Sequence, residues 1–174
     1  LARAAVRLAF DECFRFGPST NITRSVFEMY EIDDKKDFSN AIVGKKIDST
    51  YLIKALFEHA NNGDLPAISV LETSGEHMAR SIAGVIKELN IKEPINVILA
   101  GSVWAKATNF AMLNKFKKVV CELSNKKCNF IVLKEPPVLG AILWALELAN
   151  GELPDKELKA KVLENIINYQ NSIN

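Results

Sequence analysis

Apolar residues recur at three- and four-residue steps along the first half of the chain, which is the spacing of one face of an amphipathic helix. Between these stretches, the charged IDDKKD segment has no periodic apolar positions and is expected to be a solvated connection. The pattern predicts helices from the start of the chain to Gly17-Pro18, over Ile22–Tyr30, over Lys36–Val43, from Asp48 or Ser49 to Asn61-Asn62-Gly63, and from about Leu65 to Asn90.

The last of these helices carries a start signal and two internal glycines. Asp64 stands where an N-cap is expected, and Pro66 falls in the first turn, where its missing N–H group costs little. Gly75 and Gly84 each cost about 1 kcal/mol relative to alanine in a helix interior. Their presence indicates either close packing of a neighbouring helix or a backbone approached by a ligand, and packing is the preferred interpretation.

After Pro94 the pattern changes to short continuous apolar runs. INVILAG and CNFIVLK are rich in Val and Ile, as strands covered on both faces are, and a helical pattern over Asn109–Leu123 joins them. This order predicts a right-handed βαβ unit and therefore a helix-rich α/β fold with a small parallel sheet. Two further amphipathic helices follow, VLGAILWALELA up to Asn150-Gly151 and a last one from Pro154 to about Tyr169.

Residues 1–64 are expected to form a helical subdomain and residues 65–174 an α/β part. The opening LARAAVRLAF reads as a helix without a capping residue before it, so we expect the chain to be a fragment of a longer protein. With 22 Lys and Arg against 21 Asp and Glu, the net charge of +1 gives little field to attract nucleic acid or an anionic membrane. The three cysteines form no CxxC pair, which fits a reducing cytoplasm.

The sequence has no motif for a metal site or for acyl-transfer chemistry. His59 and His77 lack HExxH spacing and are interpreted as helix-packing or surface residues, and no GxSxG elbow is present. No metal site is predicted. The carboxylates on the predicted helices lack a paired arrangement and are interpreted as solvated: Asp11, Glu12, Glu72 and Glu76.

The end of the first strand is the most informative point for function. LAGSVW places Gly101 and Ser102 just past the carboxyl edge of the strand, where ligands of open α/β sheets collect. Gly101 would let a nucleotide approach without a Cβ in the way, and the Ser102 hydroxyl could bond a phosphate or ribose oxygen. From the local residues alone, an ordinary βα turn in which Ser102 caps a helix is the favoured interpretation.

A second glycine follows the second strand. In KEPPVLG, Gly140 opens the next helix and its loop should reach the same sheet edge, so that the two turns would enclose a crevice for a planar group such as adenine. Lys106 and Lys134 lie near these loops and are interpreted as solvated charges rather than phosphate ligands. Trp104 and Trp144 could line the pocket, although core packing is the default for tryptophan.

Several segments, taken in order, resemble the C-terminal part of the N-acetylglucosamine kinase family. They are the GDLPA helix start, the strand leading into Gly101-Ser102 and the PVLGAILWAL helix, and the similarity extends over nearly the whole chain. That family is grouped with the activator ATPases of benzoyl-CoA reductase and 2-hydroxyacyl-CoA dehydratase. The resemblance implies a partial C-terminal domain of a sugar-kinase/actin-like (ribonuclease H-like) ATPase fold, in which ATP sits in a cleft between two related domains.

The resemblance also implies the site residues. The adenosine motif of the family, usually two glycines after the strand, falls on Gly101 and Ser102, with Val103 following, and the glycine that opens its penultimate helix falls on Gly140. The second glycine is a serine here. The phosphate loops and the catalytic aspartate of the family would precede Leu1, so no catalytic residue is expected in this chain, which should be inert alone.

The function implied is that of a parent protein which transfers the γ-phosphoryl group of ATP, with Mg²⁺, to a hydroxyl of an amino sugar. Two other classes stay open: an ATP-dependent activator or regulator of the same fold, and a helical interaction module that binds no nucleotide. Cys13, Cys121 and Cys128 lack the close spacing of the cluster-bridging activators, which favours the kinase. The parent could also be a homo-oligomer.

Overall fold

Helices dominate the computed structural model, which describes residues 1–173. The α-helices are α1 (Ala2–Phe14), α2 (Ile22–Tyr30), α3 (Phe38–Ile42), α4 (Ser49–Asn61), α5 (Leu65–Glu88), α6 (Ser102–Ala105), α7 (Ala111–Ser124), α8 (Pro137–Asn150) and α9 (Lys156–Ile173). The strands are β1 (Ile95–Leu99) and β2 (Cys128–Val132), and they pair in parallel. The chain is therefore helix-rich α/β with a small parallel sheet, as predicted.

The predicted helix over Lys36–Val43 is divided. A 3₁₀ turn over Lys35–Asp37 comes first, because the Asp34 side chain accepts the Lys36 N–H at 2.9 Å, and α3 follows it. In the part of the chain that the structure describes, no helix is long and apolar enough to cross a membrane.

The described chain divides into two compact units. The first contains Leu1–Asn96 and Ala107–Asn129, and the second contains Val97–Lys106 and the chain from Phe130 onward. Position 64, the predicted boundary, lies inside the first unit, where α4 and α5 on either side of it pack together. All the predicted site residues belong to the second unit.

The first unit is organised around α5, which packs against α1, α4 and most extensively α7. Gly75 makes the closest approach: a Cβ at this position would overlap the Met112 carbonyl oxygen and lie 3.1 Å from the Met112 carbonyl carbon. Packing rather than a ligand explains this glycine, which confirms the preferred interpretation. At Gly84, by contrast, no described atom lies within 4 Å of the position of a Cβ.

An ionic contact also joins α5 to α7. Glu76 accepts a hydrogen bond from Arg80 Nη2 at 2.7 Å and lies 3.2 Å from Lys115 Nζ. The bonds from Arg80 and then Lys115 lower the pKa of Glu76. The interpretation of Glu76 as a purely solvated carboxylate is therefore wrong, because its charge bridges two helices.

Asp64 is the N-cap of α5, as predicted, and it also holds the loop before α2. Its carboxylate accepts the Ala67 N–H at 3.0 Å, the Thr20 hydroxyl at 2.9 and 3.0 Å, and the Asn21 N–H at 2.7 Å. The residue is buried, so these donors replace water around the charge. Of the two predicted caps of α4, Asp48 is the one used, since its carboxylate accepts the Tyr51 N–H at 3.0 Å.

Glu12 holds the same loop from the other side. It accepts bonds from the Ser19 hydroxyl at 2.9 Å, the Thr20 N–H at 3.2 Å and the Thr23 hydroxyl. The sequence-based interpretation of Glu12 as solvated is wrong, because its partners lie up to eleven residues further along the chain. The two carboxylates of Glu12 and Asp64 together fix the connection between α1 and α2.

The coverage of the strands differs from the prediction. Ile95, Val97 and Leu99 of β1 are buried, but Ile98 on the opposite face is 51% exposed, and β2 alternates between half-buried and exposed positions. The expectation of two strands buried on both faces is wrong: apolar residues occupy both faces, but the described residues cover only one of them.

The second unit contains the helix pair α8 and α9. Leu139 is buried, whereas Trp144 and Leu148 are 66% and 72% exposed, so α8 exposes much of an apolar surface. On α9, Ile166 is buried but Tyr169 is 68% exposed, so the predicted buried side of this helix is covered only in part.

Phe16 follows α1 in a strained conformation and provides a stability test. Its φ is +55° and its side chain is fully exposed, so the left-handed backbone, which costs about 1–2 kcal/mol for most residues, gains no packing in return. Phe16→Gly should therefore raise the free energy of unfolding by about 1 kcal/mol in urea denaturation. Asn125→Gly, at a left-handed position that asparagine tolerates, should change it by only a few tenths of a kcal/mol. A loss of stability in Phe16→Gly would contradict this description.

Candidate functional site

The predicted site lies where two turns leave the same edge of the sheet. Because β1 and β2 are parallel, their carboxyl ends are adjacent, and the Leu133 N–H donates to the Leu99 carbonyl at 2.9 Å at this edge. Gly101 follows β1 by two residues, and the loop after β2 leads directly into α8, which carries Gly140. The structure therefore places the starts of the two segments that the sequence singles out at the same edge of the sheet.

Gly101 is the turn residue between β1 and α6. Its φ of +109° and ψ of 159° belong to a region that is essentially restricted to glycine. Its carbonyl accepts the N–H groups of Trp104 and Ala105 at 3.1 and 3.0 Å and so starts α6. Gly101 is exposed, and no described atom lies within 4 Å of the position of a Cβ, so the space beside its backbone is open.

Ser102 is the first residue of α6 rather than its cap. The capping position belongs to Gly101, so the interpretation of Ser102 as an ordinary helix cap is wrong. Ser102 is exposed, and its hydroxyl has no hydrogen-bond partner among the residues described. The hydroxyl is therefore available to a ligand at the carboxyl edge of β1, and Val103 after it is half-buried.

Gly140 lies in the first turn of α8. The neighbouring Leu139 is buried, and its N–H donates to the Pro136 carbonyl at 3.0 Å, which anchors the start of the helix. Gly140 itself is exposed, and beyond its chain neighbours and the adjacent backbone of α8 no described atom lies within 4 Å of where its Cβ would be. Its helical backbone is unstrained, so the missing side chain leaves an open surface rather than a special turn.

Trp144 continues the face of α8 on which Gly140 lies. Residues four apart share a helix face, and the Trp144 side chain is 66% exposed. Core packing, the default interpretation of this tryptophan, is therefore wrong, and the indole ring is available for stacking on a planar ligand. Trp104 is half-buried, and Lys106 and Lys134 are both exposed.

This edge of the sheet can bind a ligand. It offers open backbone at two glycines, a serine hydroxyl and an exposed indole, which suit a ribose and a planar base. No group of three or more His, Cys, Asp or Glu residues that could hold a metal ion occurs among residues 1–173.

His59 makes the contact that most resembles a nucleophile and its base. Ser25 Oγ lies 2.9 Å from His59 Nε2, between α2 and α4. Ser25 is buried, however, and the contact joins two helices of the first unit. We interpret it as a packing contact, in line with the sequence-based interpretation of His59.

Comparison of the chain with models of protein families, with curated proteins and with solved structures gives no significant match. The assignment of a function therefore rests on the residues and geometry of this sheet edge.

Proposed function

We propose that this chain is the C-terminal part of a cytoplasmic ATP-dependent sugar kinase of the N-acetylglucosamine kinase type and supplies the adenosine side of its ATP cleft. The observation that carries the proposal is the pair of open glycine positions, Gly101 in the turn after β1 and Gly140 in the helix after β2, on segments that leave one edge of a parallel strand pair. Ligands of open α/β sheets bind at such an edge.

Each part of the adenosine group has a candidate partner at this edge. The ribose would approach the bare backbone of Gly101 and bond the free hydroxyl of Ser102. The adenine ring would lie on the face of α8 formed by Gly140 and the exposed indole of Trp144. The half-buried Val103 follows Ser102 at this edge.

Exposed apolar residues support a larger parent domain. Ile98, Ile131 and Leu133 are 51%, 41% and 39% exposed. Apolar residues in such numbers on a short sheet are suited to cover by further chain, as the upstream strands of a sugar-kinase fold would provide. Those upstream segments would also carry the catalytic base and the phosphate and Mg²⁺ contacts.

The substrate part of the proposal is tested by the rate of ADP release from ATP and Mg²⁺ by the longer protein. N-acetylglucosamine or a related hexosamine should accelerate ADP release, since the sugar hydroxyl is the phosphoryl acceptor. ADP release that no hexosamine accelerates would exclude the sugar kinase. Sugar-independent turnover together with a stable protein partner would instead favour an ATP-dependent activator.

Gly140→Ala tests the binding site without disturbing the fold. The new methyl group would enter the open face of α8 and should weaken ATP binding by the longer protein about tenfold, or about 1.4 kcal/mol. Stability should rise slightly, because alanine favours a helix. Gly101→Val should abolish measurable binding, although strain at φ +109° contributes there.

Gly84→Ala is the matched control for Gly140→Ala, since it also fills open space on a helix but lies in the first unit. ATP affinity, measured by isothermal titration calorimetry, should be unchanged in this variant. Equal ATP affinity in Gly140→Ala and the unmodified protein would argue against the proposed adenine position.

A further inference from the structure

A groove of about 430 Å³ lies between α1 and α3 in the first unit. Its apolar lining comes from Val6 and Phe10 of α1, from Phe38 and Ile42 of α3, and from Val43. The charged residues that line it all belong to the α1 side: Arg3, Arg7, Asp11 and Arg15.

Two of the lining residues, Phe10 and Phe38, belong to a cluster of packed aromatic rings. Phe38 is buried, and its ring centroid lies 5.9 Å from that of Phe10, 5.9 Å from that of Phe14 and 5.8 Å from that of Phe27. Phe10 and Phe14 remain 37% and 43% exposed, so their outer edges are uncovered. Exposed apolar residues bordered by charged ones are typical of a protein interaction surface.

The charge of the α1 rim is positive and only partly neutralised. Asp11 lies 3.6 Å from Arg7 Nε and 3.3 Å from Arg15 Nη1, and both arginines are exposed. Arg3 has no carboxylate within ion-pair distance among the described residues. Three guanidinium groups less one carboxylate leave a charge of +2 on this rim. The whole chain carries only +1, so the positive charge is a local feature.

We propose that the groove binds an amphipathic helix of a partner protein, with its apolar side chains against the apolar lining and its flanking carboxylates on the three arginines. A groove between two helices accepts the apolar face of a third helix at i, i+3, i+4 and i+7 spacing. The planar guanidinium groups match carboxylates in two parallel hydrogen bonds, which selects an acidic partner over a basic one.

The position of the groove between two helices favours this partner over an anionic membrane. The apolar lining of the groove has no groups that bind the phosphates of a nucleic acid.

The experiment measures binding of two synthetic amphipathic helical peptides to the full chain by fluorescence anisotropy. Both have leucines at helical spacing, one with glutamates and the other with lysines at the flanking positions. The glutamate peptide should bind at least about tenfold more tightly than the lysine peptide, with an affinity that falls as salt increases. Equal binding of the two peptides, or no binding of the glutamate peptide, would overturn the proposal.

Charge-reversal variants locate the binding. The double variant Arg3→Glu with Arg7→Glu should weaken binding of the glutamate peptide at least about tenfold, since it reverses the rim. The matched control, Lys159→Glu with Lys161→Glu on the exposed side of α9, makes the same charge change elsewhere and should leave the affinity unchanged. Val43→Glu, at a 79% exposed lining residue, should also weaken binding.

These variants change exposed side chains, and circular dichroism verifies that their helix content is unaltered. Retention of full affinity in the Arg3→Glu, Arg7→Glu variant would overturn the proposal. So would tighter association with vesicles of phosphatidylcholine and phosphatidylserine in about a 3:1 ratio than with the glutamate peptide, because that result identifies a membrane surface.

Discussion

Gly75→Ala should lower the free energy of unfolding by about 2–3 kcal/mol, whereas Gly84→Ala in the same helix should raise it by about 0.5–1 kcal/mol. A methyl group at Gly75 would overlap the backbone carbonyl of Met112, which can move only if α5 and α7 separate. At Gly84 a methyl group enters open space and improves the helix propensity without a clash.

Urea denaturation of the two variants and the unmodified chain measures this difference. The two substitutions are chemically identical and lie nine residues apart in α5, so helix propensity cancels between them. Equal stabilisation of both variants would mean that α7 does not approach α5 at Gly75. Destabilisation by Gly84→Ala would mean that its face of α5 is covered.

Asp64→Ala should lower the free energy of unfolding by about 2–4 kcal/mol. The substitution removes an N-cap, worth about 0.5–2 kcal/mol, and it also leaves the Thr20 hydroxyl and the Asn21 N–H without their acceptor. A buried donor left unbonded costs about 1–3 kcal/mol unless water reaches it. The loop between α1 and α2 should therefore loosen together with the start of α5.

Asp48→Ala is the matched control for Asp64→Ala. Asp48 is the exposed cap of α4, and among the described residues its side chain accepts only the Tyr51 N–H. Loss of this cap should cost about 1 kcal/mol in the same urea denaturation. If Asp64→Ala were no more destabilising than Asp48→Ala, the long-range bonds of Asp64 to the loop before α2 would not contribute to stability.

Local signals in the sequence were sufficient to predict most of the helices and both strands. The predicted helix over Ile22–Tyr30 matches α2 at both ends, and Asp48 and Asp64 cap the helices that follow them. These features depend on residues within one or two turns of each other, which a pattern can report. The long-range partners of Asp64 and Glu12 lie in another segment, and no local pattern indicates them.

Which apolar residues are covered by other segments could not be predicted either, because this also depends on contacts between distant parts of the chain. The Val- and Ile-rich runs correctly indicate β1 and β2, but periodicity does not report whether another segment covers each face. Ile98 and Trp144 are residue types that are usually buried, but both are exposed here. The adjacency of the carboxyl ends of β1 and β2 could be predicted, because it follows from the βαβ order alone. The role of Gly101 rather than Ser102 as the cap could not, because it depends on a φ of +109°.

The most direct test of the adenosine site is the titration of the ¹⁵N-labelled chain with ATP, followed through the amide signals. The account predicts saturable shifts of the amides of Gly101, Ser102, Val103 and Gly140 and of the Trp144 indole N–H, while the Gly84 amide stays unchanged. The account is contradicted if ATP leaves these signals in place, or if it shifts only signals of helices α1 to α5.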